Sequence, residues 1–222
     1  MGQDTPGSGE HPPARAFVLV MSTIRFHVLG DSLAVGVGCT SPEQTIGHRL
    51  ATVLRGDGHR IDLSVHAVSG ARSTDLARQV HASAAAGVDL ALVVIGANDL
   101  TSFTAPAVGA RLVQDAVAHL VGAGAAVVVA TAPDLSIVSH VPPAYRDLVR
   151  QASRLYAEAQ SDAATRAGGT VAALGPDLFD RFRSDPALFS ADRFHPSPAG
   201  YALIAEALSP CVRLVTRPDS GS

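Results

Sequence analysis

The order of apolar and polar segments predicts an α/β domain built around a parallel sheet. Three observations carry that reading. Short β-branched apolar runs alternate with helical segments of about 10–20 residues, the mark of repeated strand–helix–strand units. Two of the runs, "DLALVVIGAND" (89–99) and "AAVVVATAP" (125–133), are almost wholly apolar, as strands covered on both faces should be. The runs also end on Gly or small polar residues, at the strand ends where open α/β sheets hold their ligands.

Each element has its own signal. "IRFHVLG" (24–30) is β-branched and stops at Gly, which reads as the first strand. In "SPEQTIGHRLATVL" (41–54), Ser41 is placed to cap a helix, Pro42 takes the first helical position, and apolar residues follow at helical spacing. "IDLSVHAVSG" (61–70) alternates and ends at Gly, a second strand, and "STDLARQVHASAAAG" (73–87) is an Ala-rich helix closed by Gly. The third strand at 89–99 leads to a helix over 105–124, and the fourth at 125–133 to a long helix over 142–169. "TVAALG" (170–175) is a short fifth strand, and "SPAGYALIAEAL" (197–208) a final helix with Ser197 as cap and Pro198 at its first position. The expected organisation is a disordered N-terminal extension over 1–20, one domain over 21–215 and a flexible tail over 216–222.

Composition excludes several classes. A net charge of -3 and the absence of Trp argue against a nucleic-acid partner, which needs a basic face or stacking platforms. All 17 basic residues are Arg, so a catalytic Lys, a Lys Schiff base and a Walker-type phosphate loop are excluded. No apolar run approaches the roughly 20 residues of a bilayer span, and "AFVLVM" (16–21) is too short for a secretory signal core. The expectation is a cytoplasmic protein with no membrane partner. Cys39 and Cys211, far apart in sequence, read as two free thiols, with one bridge as the alternative.

The chemistry gathers after the strands. Gly30-Asp31-Ser32-Leu33 follows the first, Ser69-Gly70 the second and Gly96-Ala97-Asn98-Asp99 the third, while Asp192-Arg193-Phe194-His195 precedes the last helix. These supply a hydroxyl, two sets of oxyanion donors, a base and an acid to orient it, which are the parts of serine acyl transfer. An imidazole titrates near neutrality, so His195 is suited to take the Ser32 proton, and Asp192 could fix its tautomer. The Ser32 and Gly70 backbone N–H groups and the Asn98 amide would receive the oxyanion. Taken singly, each block has a plainer reading: Gly-Asp-Ser as a capped turn, Gly70 and Gly-x-Asn-Asp as turns, Asp-x-x-His as a surface loop. Asn98, however, is the only asparagine in the chain, and it stands at the end of a buried strand. The other histidines, His27, His66 and His119 among them, fall inside strands or helices and read as satisfied structural groups.

These four blocks, in this order, resemble the signature blocks of the SGNH hydrolases, also called GDSL esterases/lipases, across about residues 24–210. The resemblance implies a flavodoxin-like three-layer α/β/α sandwich with a parallel sheet of about five strands. It implies Ser32 as nucleophile and oxyanion donor, Gly70 and Asn98 as the other donors, His195 as base and Asp192 as its orienting acid. It also implies no metal or organic cofactor and a small-molecule acyl ester as substrate. A short chain without a large lid or aromatic flap suggests a small open pocket for short acyl groups. "DLSIVSHVPPAYR" (134–146) is then the expected specificity loop, with Asp31, Phe103 and Phe194 as substrate-side residues. The competing readings are an acyltransferase or thioesterase using the same groups, and a non-catalytic flavodoxin-like binding module.

Overall fold

The computed structural model describes residues 23–216. The expected extension over 1–20 and nearly all of the tail over 216–222 lie outside them. Five strands form one sheet in the order β2-β1-β3-β4-β5: β1 (Thr23–Gly30), β2 (Arg60–Val65), β3 (Leu90–Val94), β4 (Ala126–Ala130) and β5 (Thr170–Ala172). All four pairings are parallel. Every residue of β3 is buried, because this central strand has helices over both faces.

Side-chain alternation divides the core in two. Phe26, Val28, Leu90, Leu92, Val128 and Ala130 face α2 (Ile46–Gly56), α7 (Pro176–Ser184) and α8 (Pro198–Val215). Leu29, Ala91, Val93, Val127 and Val129 face α3 (Leu76–Ala86), α5 (Pro106–Gly122) and α6 (Arg146–Arg166). The result is the expected three-layer α/β/α sandwich. Strand order reverses between β1 and β3, so the chain leaves that point in both directions and opens a crevice beyond the two strand ends.

Several expected boundaries shift for local reasons. The strand expected over 61–70 ends at Val65. Beyond it only the His66 and Val68 N–H groups still bond β1, at Val28 O and Gly30 O, before the chain turns at Ser69–Gly70. The helix expected from Ser41 divides into a 3₁₀ turn at Pro42–Gln44 and α2, which Thr45 caps. The last helix continues past 208 to Val215, with Pro210 on its exposed face. Three further helices were not expected: α1 (Ser32–Val35) and α4 (Ala97–Thr101), too short to show a period, and α7, which buries Leu178 and Phe182 at i, i+4 spacing. His27 donates or accepts at Ser83 Oγ, 2.8 Å away, but the expectation for His66 fails, since its buried Nε2 has no hydrogen-bond partner among the described residues. Cys39 and Cys211 are free.

Candidate active site

Ser32 is the first residue of α1, two residues beyond the end of β1. Gly30 makes that exit possible: its φ of +134° suits Gly, and a Cβ there would run into the Val94 carbonyl of neighbouring β3. Asp31, fully buried, caps α1 by accepting the Leu33 N–H at 3.0 Å. The Ser32 N–H, at the start of a helix, has no intrahelical partner.

His195 arrives from the other end of the chain. The segment between α7 and α8 folds back on itself, Ser190 N–H bonding His195 O at 2.8 Å and Ser197 N–H bonding Leu188 O at 2.7 Å. Arg193, at a φ of +55°, turns the chain tightly enough for Asp192 Oδ1 to accept from the Phe194 and His195 N–H groups, both at 2.9 Å, and from Ser190 Oγ at 2.7 Å. Asp192 Oδ2 lies 2.6 Å from His195 Nδ1, and His195 Nε2 lies 2.9 Å from Ser32 Oγ. Partial burial alone would raise the Asp192 carboxyl, but the hydrogen bonds from His195, Phe194 N–H and Ser190 hold it well below the usual carboxylate range. Tyr201 Oη donates to Val37 O at 2.8 Å, tying α8, which follows the histidine, to the loop that follows the serine.

Gly70 and Asn98, the other two residues expected to receive an oxyanion, lie in the loop after β2 and in the first turn of the helix after β3. Gly70 is exposed, with a φ of +82° and no atom near the place a Cβ would take. Asn98, in the first turn of α4, gives one amide hydrogen to Ala71 O at 2.9 Å, which leaves its second free. The next residue, buried Asp99, accepts from Ser73 N–H at 3.0 Å and from Ser73 Oγ at 3.2 Å. The loop after β2 and the helix after β3 are therefore joined twice.

The remaining expected residues separate. Phe194 lines the cavity beside Ser32, as do Asp134, Leu135, Ile137 and Val138 of the expected specificity loop. Phe103 does not: it stands 94% exposed at a φ of +55°, outside the cavity. Its position after Asn98 in sequence suggested proximity, but the short helix α4 ends at Thr101 and turns it to solvent. Asp31 precedes Ser32 as the buried cap of α1, and burial pushes its carboxyl up to about 6. Nor is the cavity open, for it runs inward between the 131–138 segment and the residues around α7.

Two buried glutamines escaped sequence reasoning. Gln79 of α3 accepts the Gly30 N–H at 2.7 Å and donates to Gly30 O at 2.9 Å. Gln160 of α6 likewise accepts Ala132 N–H at 2.7 Å and donates to Ile95 O at 3.1 Å. The available signal was an amide on the apolar face of each helix, where a carboxamide is expected only if it has fixed partners.

Comparison with known proteins decides the family. The model of the GDSL-like Lipase/Acylhydrolase family matches residues 28–203, which is most of the chain and includes all four blocks. The chain belongs to this family. A GDSL-like relative, the "GDSL-like esterase Rv1075c" of Mycobacterium tuberculosis (strain ATCC 25618 / H37Rv), is 40% identical over 189 residues, covering 83% of this chain. The chain spans 60% of that relative's length. Among solved structures of similar fold, TesA superposes with a TM-score of 0.71 at 20% identity, covering 86% of this chain and 99% of that one. The psychrotrophic esterase EstA from Pseudoalteromonas sp. gives 0.67 at 17% identity, over 86% of this chain and 97% of its own.

Proposed function

We propose that this GDSL-family chain is a serine esterase that hydrolyses carboxylic esters of short acyl groups through an acyl-enzyme. One observation carries the reading: the unbroken hydrogen-bonded line from Asp192 to His195 to Ser32, at 2.6 and 2.9 Å. Ser32 Oγ attacks the ester carbonyl while His195 Nε2 takes its proton. The carbonyl oxygen becomes an anion and is received by the Ser32 and Gly70 N–H groups and the free amide hydrogen of Asn98. Asp192, held ionised, accepts from Nδ1, fixes the tautomer and steadies the imidazolium. Collapse breaks the bond to the alcohol oxygen, and the alcohol leaves with the proton from His195. Water then gives a proton to His195 and adds to the acyl carbon. Ser32 departs reprotonated and the carboxylic acid is released.

The test is intact-mass analysis after a fluorophosphonate probe. One adduct on Ser32, absent in Ser32→Ala and formed at least about 100-fold more slowly in His195→Ala, is the expected result. A folded wild-type chain that takes no adduct would refute the proposal.

A further inference from the structure

Beside the Ser32 hydroxyl a narrow cavity of about 60 Å³ leads into the fold. Ser32, His195 and Phe194 line it, together with Ile46, Phe182 and Ile204, which are between 0% and 7% exposed. Four of the chain's seven phenylalanines line it: Phe179, Phe182, Phe189 and Phe194. The one lining residue with a fixed charge is Asp134, whose carboxylate lies 3.9 Å from Arg150 and 3.8 Å from Arg183.

We propose that this cavity is an acyl slot: it takes an uncharged, linear hydrocarbon chain end-on, up to a length set by Ile204 and Phe182, and rejects acyl groups that carry charge. The proposal rests on the esterase reading above. By this measure of volume one water needs about 10–15 Å³, so 60 Å³ holds on the order of four to six small groups, a butyryl to hexanoyl chain. Each methylene moved from water into the slot is worth ~0.8 kcal/mol, about fourfold in kcat/KM. The gain stops at the inner wall, which has little freedom to recede. Phe182 meets Phe189 edge-on at 5.2 Å and 74°, and its ring sits so close to α8 that a Cβ on Gly200 would lie 2.9 Å from it. A longer chain must displace close-packed core. A terminal carboxylate would lose its hydration, and the two arginines nearest the slot already face Asp134.

The experiment measures kcat/KM for p-nitrophenyl esters from acetate to dodecanoate, with the hemisuccinate compared against the butyrate. Wild type, Ile204→Ala, Ile137→Phe and Ser32→Ala are assayed in parallel. For wild type the expected profile climbs about fourfold per methylene, peaks between butyrate and hexanoate, and falls at least about tenfold by decanoate. Ile204→Ala, which removes part of the inner wall, moves the peak two or three carbons longer. Ile137→Phe, which narrows the slot from its less buried side, moves it to acetate. The hemisuccinate is at least about 100-fold slower than the butyrate. A profile that is flat or still rising at dodecanoate, a peak that neither variant moves, or a hemisuccinate as good as the butyrate would each overturn the slot. If Ile204→Ala does not fold, wild type and Ile137→Phe still decide. Hydrolysis that survives Ser32→Ala would overturn the esterase reading itself, whereas hydrolysis lost in Ser32→Ala with a flat profile would overturn the slot alone.

Discussion

Gln79 lies on a helix with no chemistry of its own, yet its side chain grips both the N–H and the carbonyl of Gly30, two residues before Ser32. Replacing it with leucine keeps much of the volume and removes both hydrogen bonds. Gly30 is buried, and its N–H would be left without its side-chain acceptor, at a cost of about 1–3 kcal/mol. Gly30 O fares better, because it also accepts from Val68 N–H at 3.0 Å, so the second loss is nearer 1 kcal/mol. The sum is about 2–4 kcal/mol. In a domain of this size each kcal/mol shifts Tm by about 2–4 °C, so Gln79→Leu should melt about 4–16 °C lower. Position matters as much as stability. With Gly30 loosened, Asp31 and Ser32 lose their anchor, so kcat and the fluorophosphonate inactivation rate should fall at a temperature where both proteins are folded, with KM little changed. Thermal melts and inactivation kinetics, run well below both transitions, check the two parts. A Tm within 2 °C of wild type would refute the energetic reasoning. A lowered Tm with an unchanged inactivation rate would reduce Gln79 to a structural clip.

Two other substitutions probe the site from opposite sides. Asn98→Ala should lower kcat by about 10²–10³ with little effect on Tm, since its side chain is only partly buried; equal kcat would remove it from the oxyanion site. Asp31→Asn tests linkage. Burial raises the folded carboxyl to about 6, so between about pH 4 and 6 the folded state binds more protons than the unfolded one, and stability from this group is lost as pH rises through that window. At pH 8 the asparagine, which can still cap Leu33, should stabilise by about 3 kcal/mol relative to its effect below pH 4, and a Tm difference between variant and wild type that does not change with pH would refute this.

Much of this was legible because the reactive residues stand at strand ends, where hydrophobic periodicity stops and identity takes over. Ser32 and Asn98 could be placed just past the ends of β1 and β3 before any coordinates, since those strands announce themselves by continuous apolar character; His195, in the loop before α8, was legible only from its Asp-x-x-His block. Helices α1 and α4 could not be read: four or five residues contain too little of a turn repeat to show a period. Phe103 misled for the same reason, as nothing local tells whether the residue after so short a helix turns in or out. The slot was hidden more deeply. Its walls come from α2, the ends of β3 and β4, α7 and α8, and only tertiary packing brings Ile46 within reach of Ile204. The density of Phe between 179 and 194 was visible, but its common destination was not.

The double tie between the loop after β2 and the helix after β3 has a kinetic consequence. Asn98 holds Ala71 O, and Asp99 holds Ser73, so Gly70 and Asn98 ride on one rigid unit. In the anion pocket proposed above, the Gly70 and Asn98 donors then need not find each other when a ligand arrives. Such a pocket spends no free energy on assembly and has no closing motion to wait for. Capture of a tetrahedral mimic should then follow a single exponential from the moment of mixing, without the slow tightening phase of sites that form around their ligand.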